Sequence, residues 1–299
     1  MAVLAGAAAD PLAQAPAQPG RTSPVNVPDS EIRIPRIQFG KTEISRLVVG
    51  CNPLYGYAHF NQILGSTMRE WYTPEKVVEV LQRSAQLGIN AFNYFHASRA
   101  PSDYERFQAA GGKMNLIAQG NVDPEILVKT LHPIAIYCHG EQVDNAYRTG
   151  RLDTIKEYCK KTRQQGVMVG VGSHIPEVLI RVEEEGWDVD FYAGCVYNRR
   201  RTPEELRRLL GGELPEMPGE VYLQDDPPRM YQFMRRTPKP CFAFKILAAG
   251  RVGSPEQAFR LAFQNIKPID GVFVGMFPRF KDEIKENAFW TMTYGKPAA

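Results

Sequence analysis

Eight short apolar runs, each followed by a segment with helix start and stop signals, constrain this chain more than any other feature of it. The runs are 47–50, 89–95, 114–118, 134–138, 167–171, 189–193, 241–246 and 271–275. Thr73-Pro74 pairs an N-cap residue with a first-turn proline, and Gly88 stops the helix they open. Thr202-Pro-Glu-Glu205 and Ser254-Pro-Glu-Gln257 open two more helices, and Gly166 and Gly186 close others. Eight strand–helix units in series predict an α/β protein of the (β/α)8, TIM-barrel class. About 270 residues shared among eight units leave roughly 34 for each, a suitable length for a βα repeat. The alternative is an open doubly wound sheet. The turn after the first strand, Gly50-Cys-Asn-Pro-Leu-Tyr-Gly56, lacks the GxGxxG fingerprint of that class. Two additions frame the barrel: a β-hairpin over 36–45 before the first strand, and a Pro-rich insertion over 211–228 between strands six and seven.

Composition narrows the function classes. The 299 residues carry 36 basic and 33 acidic side chains, so no overall field points to nucleic acid. No apolar run has transmembrane length. The five cysteines are odd in number and include no CxxC pair, which argues against a zinc ribbon or a disulfide framework. Residues 1–20 are almost all Ala, Pro, Gln, Gly and Leu, with small residues spaced as at the end of a cleaved export signal. This predicts a disordered signal remnant and tether over 1–30 and a single barrel domain over 31–299. It also predicts a periplasmic or otherwise exported protein, the alternative being a low-complexity tail on a cytoplasmic one.

Several segments resemble the aldo/keto reductase superfamily. Phe39-Gly-Lys-Thr-Glu-Ile-Ser-Arg-Leu-Val-Val-Gly50 is similar to that family's N-terminal hairpin and first strand. Leu87-Gly-Ile-Asn-Ala-Phe-Asn93 is similar to its second, and Ile136-Tyr-Cys-His139 to its fourth, ending in the active-site histidine. Gly170-Val-Gly-Ser173, Val196-Tyr-Asn198, Leu247-Ala-Ala-Gly250, and Val274-Gly-Met276 with Glu286-Asn287 fall where the family holds its nicotinamide cofactor. The resemblance spans about residues 36–288. It implies a barrel, NADPH, and Ser173, Asn198, Arg279, Glu286 and Asn287 as cofactor-side residues. The family's reductases also use an aspartate, a lysine and a tyrosine. Those positions hold Asn93, Gln119 or Gly120, and Ser98, with Tyr104 as a displaced substitute for the tyrosine. Only His139 is kept, so the resemblance implies the fold more firmly than ketone reduction.

Placing the five histidines on the predicted barrel puts four at the C-terminal ends of strands, where barrel active sites lie. His96 follows strand two, His139 ends strand four, His174 follows strand five and His59 lies in the loop after strand one. His96, His139 and His174 are the candidate ligands of a divalent transition metal (zinc, iron, manganese or copper), with Glu141 as an oxygen ligand or base. Hydrogen-bonding loop histidines are the plainer alternative. Lys245 interrupts an apolar strand. Alternation predicts Cys241, Ala243 and Lys245 inward and Phe242 and Phe244 outward, with Lys245 binding a polar substrate, acting as a base, or buried in an ion pair. Asn52, Tyr55, Tyr57, His59 and Asn93 would add substrate contacts. Arg199-Arg-Arg201 reads as a solvated basic turn or an anion grip.

Three functions follow. The first is a barrel enzyme acting on a small polar carbonyl or sugar-like substrate by metal-assisted, non-redox chemistry, with His139, Glu141, Lys245 and Tyr104 as candidate catalytic residues. The second is an NADPH-dependent oxidoreductase with altered catalytic residues. The third is a non-catalytic ligand-binding barrel. Substrate, metal and oligomeric state stay open.

Overall fold

The helix starts form as their side chains dictate. Thr73 Oγ1 accepts the Lys76 amide at 3.3 Å, and Ser254 Oγ accepts the Gln257 amide at 3.3 Å. Thr202 and Glu205 close a reciprocal capping box at 3.1 and 2.5 Å. The structure, a computed structural model, describes residues 26–214 and 220–296. The predicted signal and the middle of the Pro-rich insertion lie outside the described residues.

A hairpin of β1 (Arg36–Phe39) and β2 (Thr42–Ser45) precedes eight parallel strands. These are β3 (Leu47–Gly50), β4 (Ala91–Phe95), β5 (Asn115–Gly120), β6 (Ala135–Cys138), β7 (Met168–Ser173), β8 (Phe191–Cys195), β9 (Cys241–Phe244) and β10 (Gly271–Gly275). Each pairs with the next, and β10 pairs with β3, so the sheet closes into a barrel. The surrounding helices are α1 (Gln62–Trp71), α2 (Pro74–Gln86), α3 (Ala100–Ala109), α4 (Pro124–Leu131), α5 (Gly140–Arg148) and α6 (Leu152–Gln164). They continue with α7 (Pro176–Glu184), α8 (Pro203–Leu210), α9 (Asp226–Arg236), α10 (Pro255–Asn265) and α11 (Glu283–Tyr294). The fold is the (β/α)8 barrel that the run spacing predicts, with the hairpin before it and the insertion over 211–228 following α8.

Two apolar layers hold it. Inside the barrel, the Phe242 and Phe273 rings stack at 4.6 Å. Phe39 of the hairpin sets its edge against Phe191 and Phe242 at 5.0 and 5.2 Å, which plugs the N-terminal end. Outside, Val77, Leu81, Leu127, Val178, Leu179, Phe259 and Ala288 join the helices to the outward strand residues. Beneath the strands, the buried Arg46 donates to the carbonyls of Asp270 (2.7 Å), Gly295 (2.5 Å) and Lys267 (2.7 Å), and lies over the Phe263 ring at 4.8 Å.

Three sequence expectations are corrected. Val27 is buried and Asp29 pairs with Arg83 and Lys285, so the chain docks on the barrel before Ser30, where the predicted tether ends. The loop after strand one contains a helix, α1, and a further helix, α5, stands between β6 and α6. In β9 the alternation runs the other way: Phe242 fills the barrel interior, while Cys241 and Ala243 face the helices.

Candidate active site

A cavity of about 600 Å³ opens at the C-terminal ends of the barrel strands. Its floor is a polar layer resting on the interior aromatics. The Tyr137 hydroxyl donates to Asn93 Oδ1 at 3.1 Å, and the Gln119 amide donates to Cys51 Sγ at 3.2 Å. Tyr137 stacks on Phe273 at 6.1 Å, which ties this layer to the plug below. Burial pushes the Cys51 thiol up to about 12 and the Tyr137 hydroxyl well above its usual range, so both stay protonated.

The wall over β6 and β7 carries two histidines in different states. His174 Nδ1 lies 2.6 Å from Asp144 Oδ2, and Ser173 Oγ donates to the other oxygen of that carboxylate at 2.6 Å. Asp144 is fully buried, so its two partners fix the His174 ring, whose edge meets Phe244 at 5.4 Å. A proton on Nδ1 leaves Nε2 as an acceptor. Burial lowers the His174 pKa despite Asp144. A Cβ at Gly140 would stand 3.1 Å from His174 Cε1, which accounts for glycine at the start of α5. His139 lines the same cavity, but its ring makes no hydrogen bond with any described residue and only packs on Phe95 at 5.6 Å. Burial, helped by the His174 neighbour, brings its pKa down to about 4, so it is neutral at ordinary pH.

Lys245 faces them from β9. Strand alternation would send it out with Cys241 and Ala243. The strand ends at Phe244 instead, and Lys245 takes a left-handed φ of +61°, which returns its side chain to the cavity. That conformation costs a non-glycine residue roughly 1–2 kcal/mol. Its ammonium makes no hydrogen bond or ion pair with any described residue. Burial, with the nearby Arg199 and Arg251 charges, lowers its pKa to about 8 against the pull of Glu220.

The rim is a charged network. His59, also left-handed at φ +54°, has Nδ1 at 2.7 Å from Glu220 Oε1, and its Nε2 accepts from the Asn52 amide at 3.1 Å. Arg199 meets the same Glu220 oxygen at 3.1 Å, and Tyr222 donates to Oε2 at 2.8 Å. Burial works to raise the Glu220 carboxyl, but His59, Arg199 and Lys245 outweigh it and bring it down to about 2. Arg251 is sandwiched between Phe60 and Tyr222 at 4.8 and 4.4 Å. The loop after β3 is thus pinned to the insertion after α8 across the mouth.

The structure brings His139, Glu141, Lys245, His174, Asn52, Tyr57, His59, Asn93, Glu286 and Asn287 to the cavity. It takes other candidates elsewhere. His96 follows the outward Tyr94 and meets its hydroxyl at 3.4 Å, away from the cavity lining. Hence His96, His139 and His174 do not converge, and among the described residues no three His, Cys, Asp or Glu side chains form a metal-holding group. Tyr104 donates to the Met114 carbonyl at 3.1 Å in the outer layer and cannot serve the mouth. Tyr55 packs under Arg99 rather than facing the cavity. Ser173 is spent on Asp144, and Asn198 accepts the Arg200 amide at 3.2 Å. Arg279 lies over Phe280, outside the cavity lining. Glu141 is held at 3.0 Å by Arg200.

Sequence reasoning missed Gln119 and Tyr137 as floor residues, Asp144 as the His174 partner, and Glu220. It undervalued Arg199 and Arg201: both are part-buried and ion-paired, Arg199 with Glu220 and Arg201 with Asp226, and neither belongs to a solvated turn. The available signal for Tyr137 was its inward parity, two residues before His139.

No family model and no curated protein matches the chain. Among solved structures, it is similar to a truncated 3-deoxy-D-arabino-heptulosonate 7-phosphate synthase from Thermotoga maritima, at TM-score 0.51 and 11% identity over 88% of this chain and 92% of that one. The fold is a TIM barrel. A second synthase structure from that organism gives TM-score 0.50 and 10% identity over 87% and 72% of the two chains. The glycerol dehydrogenase of Gluconobacter oxydans gives 0.48 and 12% over 88% and 97%. Likeness at this identity carries the barrel architecture and no finer assignment, so the aldo/keto reductase resemblance stays a resemblance.

Proposed function

We propose that this protein is an enzyme that binds a small polar, sugar-like carbonyl compound at the barrel mouth and moves a proton beside the carbonyl in a non-redox reaction. Isomerisation, epimerisation and elimination share that step. The observation that carries the reading is the pairing of Lys245 and His139 in one cavity, each without a hydrogen-bond partner among the described residues. Partnerless polar groups facing a cavity are costly to maintain unless a ligand meets them. Neutral His139 has a lone pair to accept a proton, while Lys245 polarises the carbonyl oxygen. Asn93, Gln119 and Tyr137 offer neutral hydrogen-bonding groups suited to hydroxyls. We favour the form of this chemistry without a metal, since His96 lies away from the cavity that His139 and His174 line. The test is proton exchange: small aldoses, ketoses and hydroxy-ketones incubated with the protein in D2O and followed by NMR. Loss of the α-proton faster than in buffer, abolished in His139→Ala, is expected. No exchange above buffer across the panel overturns the reading.

A second reading, an NADPH-dependent oxidoreductase, draws on one observation. Asn287 is buried, lines the cavity at α11 and leaves its Nδ2 without a partner among the described residues. Lys281 and Glu286 lie beside it, ion-paired at 2.6 Å. Against this, Ser173 and Asn198 are committed to Asp144 and the Arg200 backbone. Fluorescence titration with NADPH separates the readings: micromolar binding supports the oxidoreductase, and no binding up to millimolar concentration removes it.

A further inference from the structure

We infer that Lys245 is a covalent nucleophile, which forms a protonated imine with the carbonyl carbon of an aldehyde or ketone bound in the cavity. The inference rests on the proposed carbonyl chemistry and deepens it. Three other part-buried lysines are ion-paired: Lys239, Lys267 and Lys285 stand 2.8, 3.0 and 3.3 Å from Glu183, Asp270 and Asp29. Lys245 has no such carboxylate among the described residues. The acid nearest in kind, Glu220, is taken up by His59, Arg199 and Tyr222 at 2.7, 3.1 and 2.8 Å. Cys195, whose thiol burial pushes up to about 12, stays neutral and offers no counter-charge. Two guanidinium groups, Arg199 and Arg251, oppose the ammonium form, and a desolvated amine beside other cations is an activated one. The backbone reinforces this, since left-handed φ values of +61° at Lys245 and +53° at Ala249 hold a turn that directs the side chain into the cavity rather than toward the helices.

The chemistry balances without an oxidant. The neutral Nζ adds to the carbonyl carbon, a C–N bond forms, and the carbonyl π pair moves to oxygen. A proton passes from nitrogen to that oxygen. Addition of one more proton lets the carbinolamine expel water and leaves the protonated imine. This cation draws electrons from the adjacent C–H bond, whose proton the neutral His139 ring accepts; return of a proton and hydrolysis restore Lys245. The excess of positive charge around the amine favours carbonyl compounds that carry a carboxylate or phosphate.

The experiment is reductive trapping on the whole protein. Pyruvate and glycolaldehyde, as an anionic and a neutral probe, are added with cyanoborohydride, and the peptides are mapped by mass spectrometry. The expected result is one adduct at Lys245, heavier by the carbonyl compound less one oxygen atom, at least ten times the yield at any other lysine and greater for pyruvate. Lys245→Arg should lose it. The wild-type map decides even if that variant does not fold. Adducts spread evenly over exposed lysines such as Lys129 and Lys160 overturn the inference. A carbonyl compound that raises the melting temperature and exchanges its α-proton without any trapped adduct also overturns it, yet leaves the proposed function standing. No thermal shift, exchange or adduct removes both.

Discussion

Each end of this barrel encloses a cation, Arg46 buried and Lys245 half-buried, and the two are treated in opposite ways. At the N-terminal end Arg46 is fully enclosed and gives its guanidinium to three backbone carbonyls and the face of Phe263. Burial brings its pKa down to about 10, so it stays charged at neutral pH, with three carbonyls accepting from its guanidinium. At the C-terminal end Lys245 is enclosed by a cavity wall with no partner among the described residues. Burial alone is therefore a poor sign of function. A buried charge whose donors are all met serves stability; one left unmet is kept for something that arrives later.

The sharpest way to break this comparison is to exchange the outcomes. Arg46→Met strips three buried carbonyls of their donor and should cost ~3–5 kcal/mol of stability, read by urea unfolding, with the cavity chemistry unchanged per folded molecule. Lys245→Met should do the reverse. Turnover in the exchange assay should fall at least ~100-fold, while stability at pH 7 holds or rises because an unpaired buried amine is gone. A comparable stability loss in both variants would erase the distinction.

The pH dependence sharpens it further. Lys245 has a folded pKa of about 8, below its ordinary 10.5. Between those values the unfolded chain binds the extra proton, so stability should climb with pH over that window, and the penalty is fully present below pH 8. Lys245→Met should flatten this part of the stability–pH curve, measured by denaturant melts at pH 7, 9 and 10.5. Lysine-dependent turnover should rise with pH around 8. Glu220 behaves oppositely: its folded pKa of about 2 gives stability that is present above its ordinary value of 4.5 and lost as pH falls toward 2.

The smallest effect belongs to the rim. Glu220→Gln removes the charge that holds His59 and Arg199 together and should cost ~1–2 kcal/mol in unfolding experiments. It should raise KM more than it lowers kcat, since the loops it joins border the cavity without supplying the proposed proton-moving groups. A kcat loss as large as that of Lys245→Met would place Glu220 in the chemistry itself.

Much of the fold was legible because its signals are local. Thr73, Thr202 and Ser254 announce their helices through side chains that cap their own backbone. By contrast, α3 and α5 begin at Arg99 and His139, neither of which makes a side-chain cap, and α1 carries Gly65, Ser66 and Thr67 in its interior. The site was only half legible. The mouth positions of His139, His174, His59 and Lys245 follow once the strands are placed. What each does there depends on contacts from far along the chain, such as Asp144 on His174 and Glu220 on His59. His96 shows the limit: it sits two residues beyond an outward tyrosine, and parity sends it to the wrong side of the wall. Lys245 shows the converse, since its left-handed backbone overrides the parity that β9 would impose.

The hairpin plug bears on traffic. With Phe39 wedged between Phe191 and Phe242, the N-terminal end of the barrel is plugged, and the cavity opens at the C-terminal ends of the strands. Whatever is made there must leave by the route its precursor took. Reactant and product then exclude one another, so product inhibition should be competitive, and a slow departure would set the pace of every later arrival.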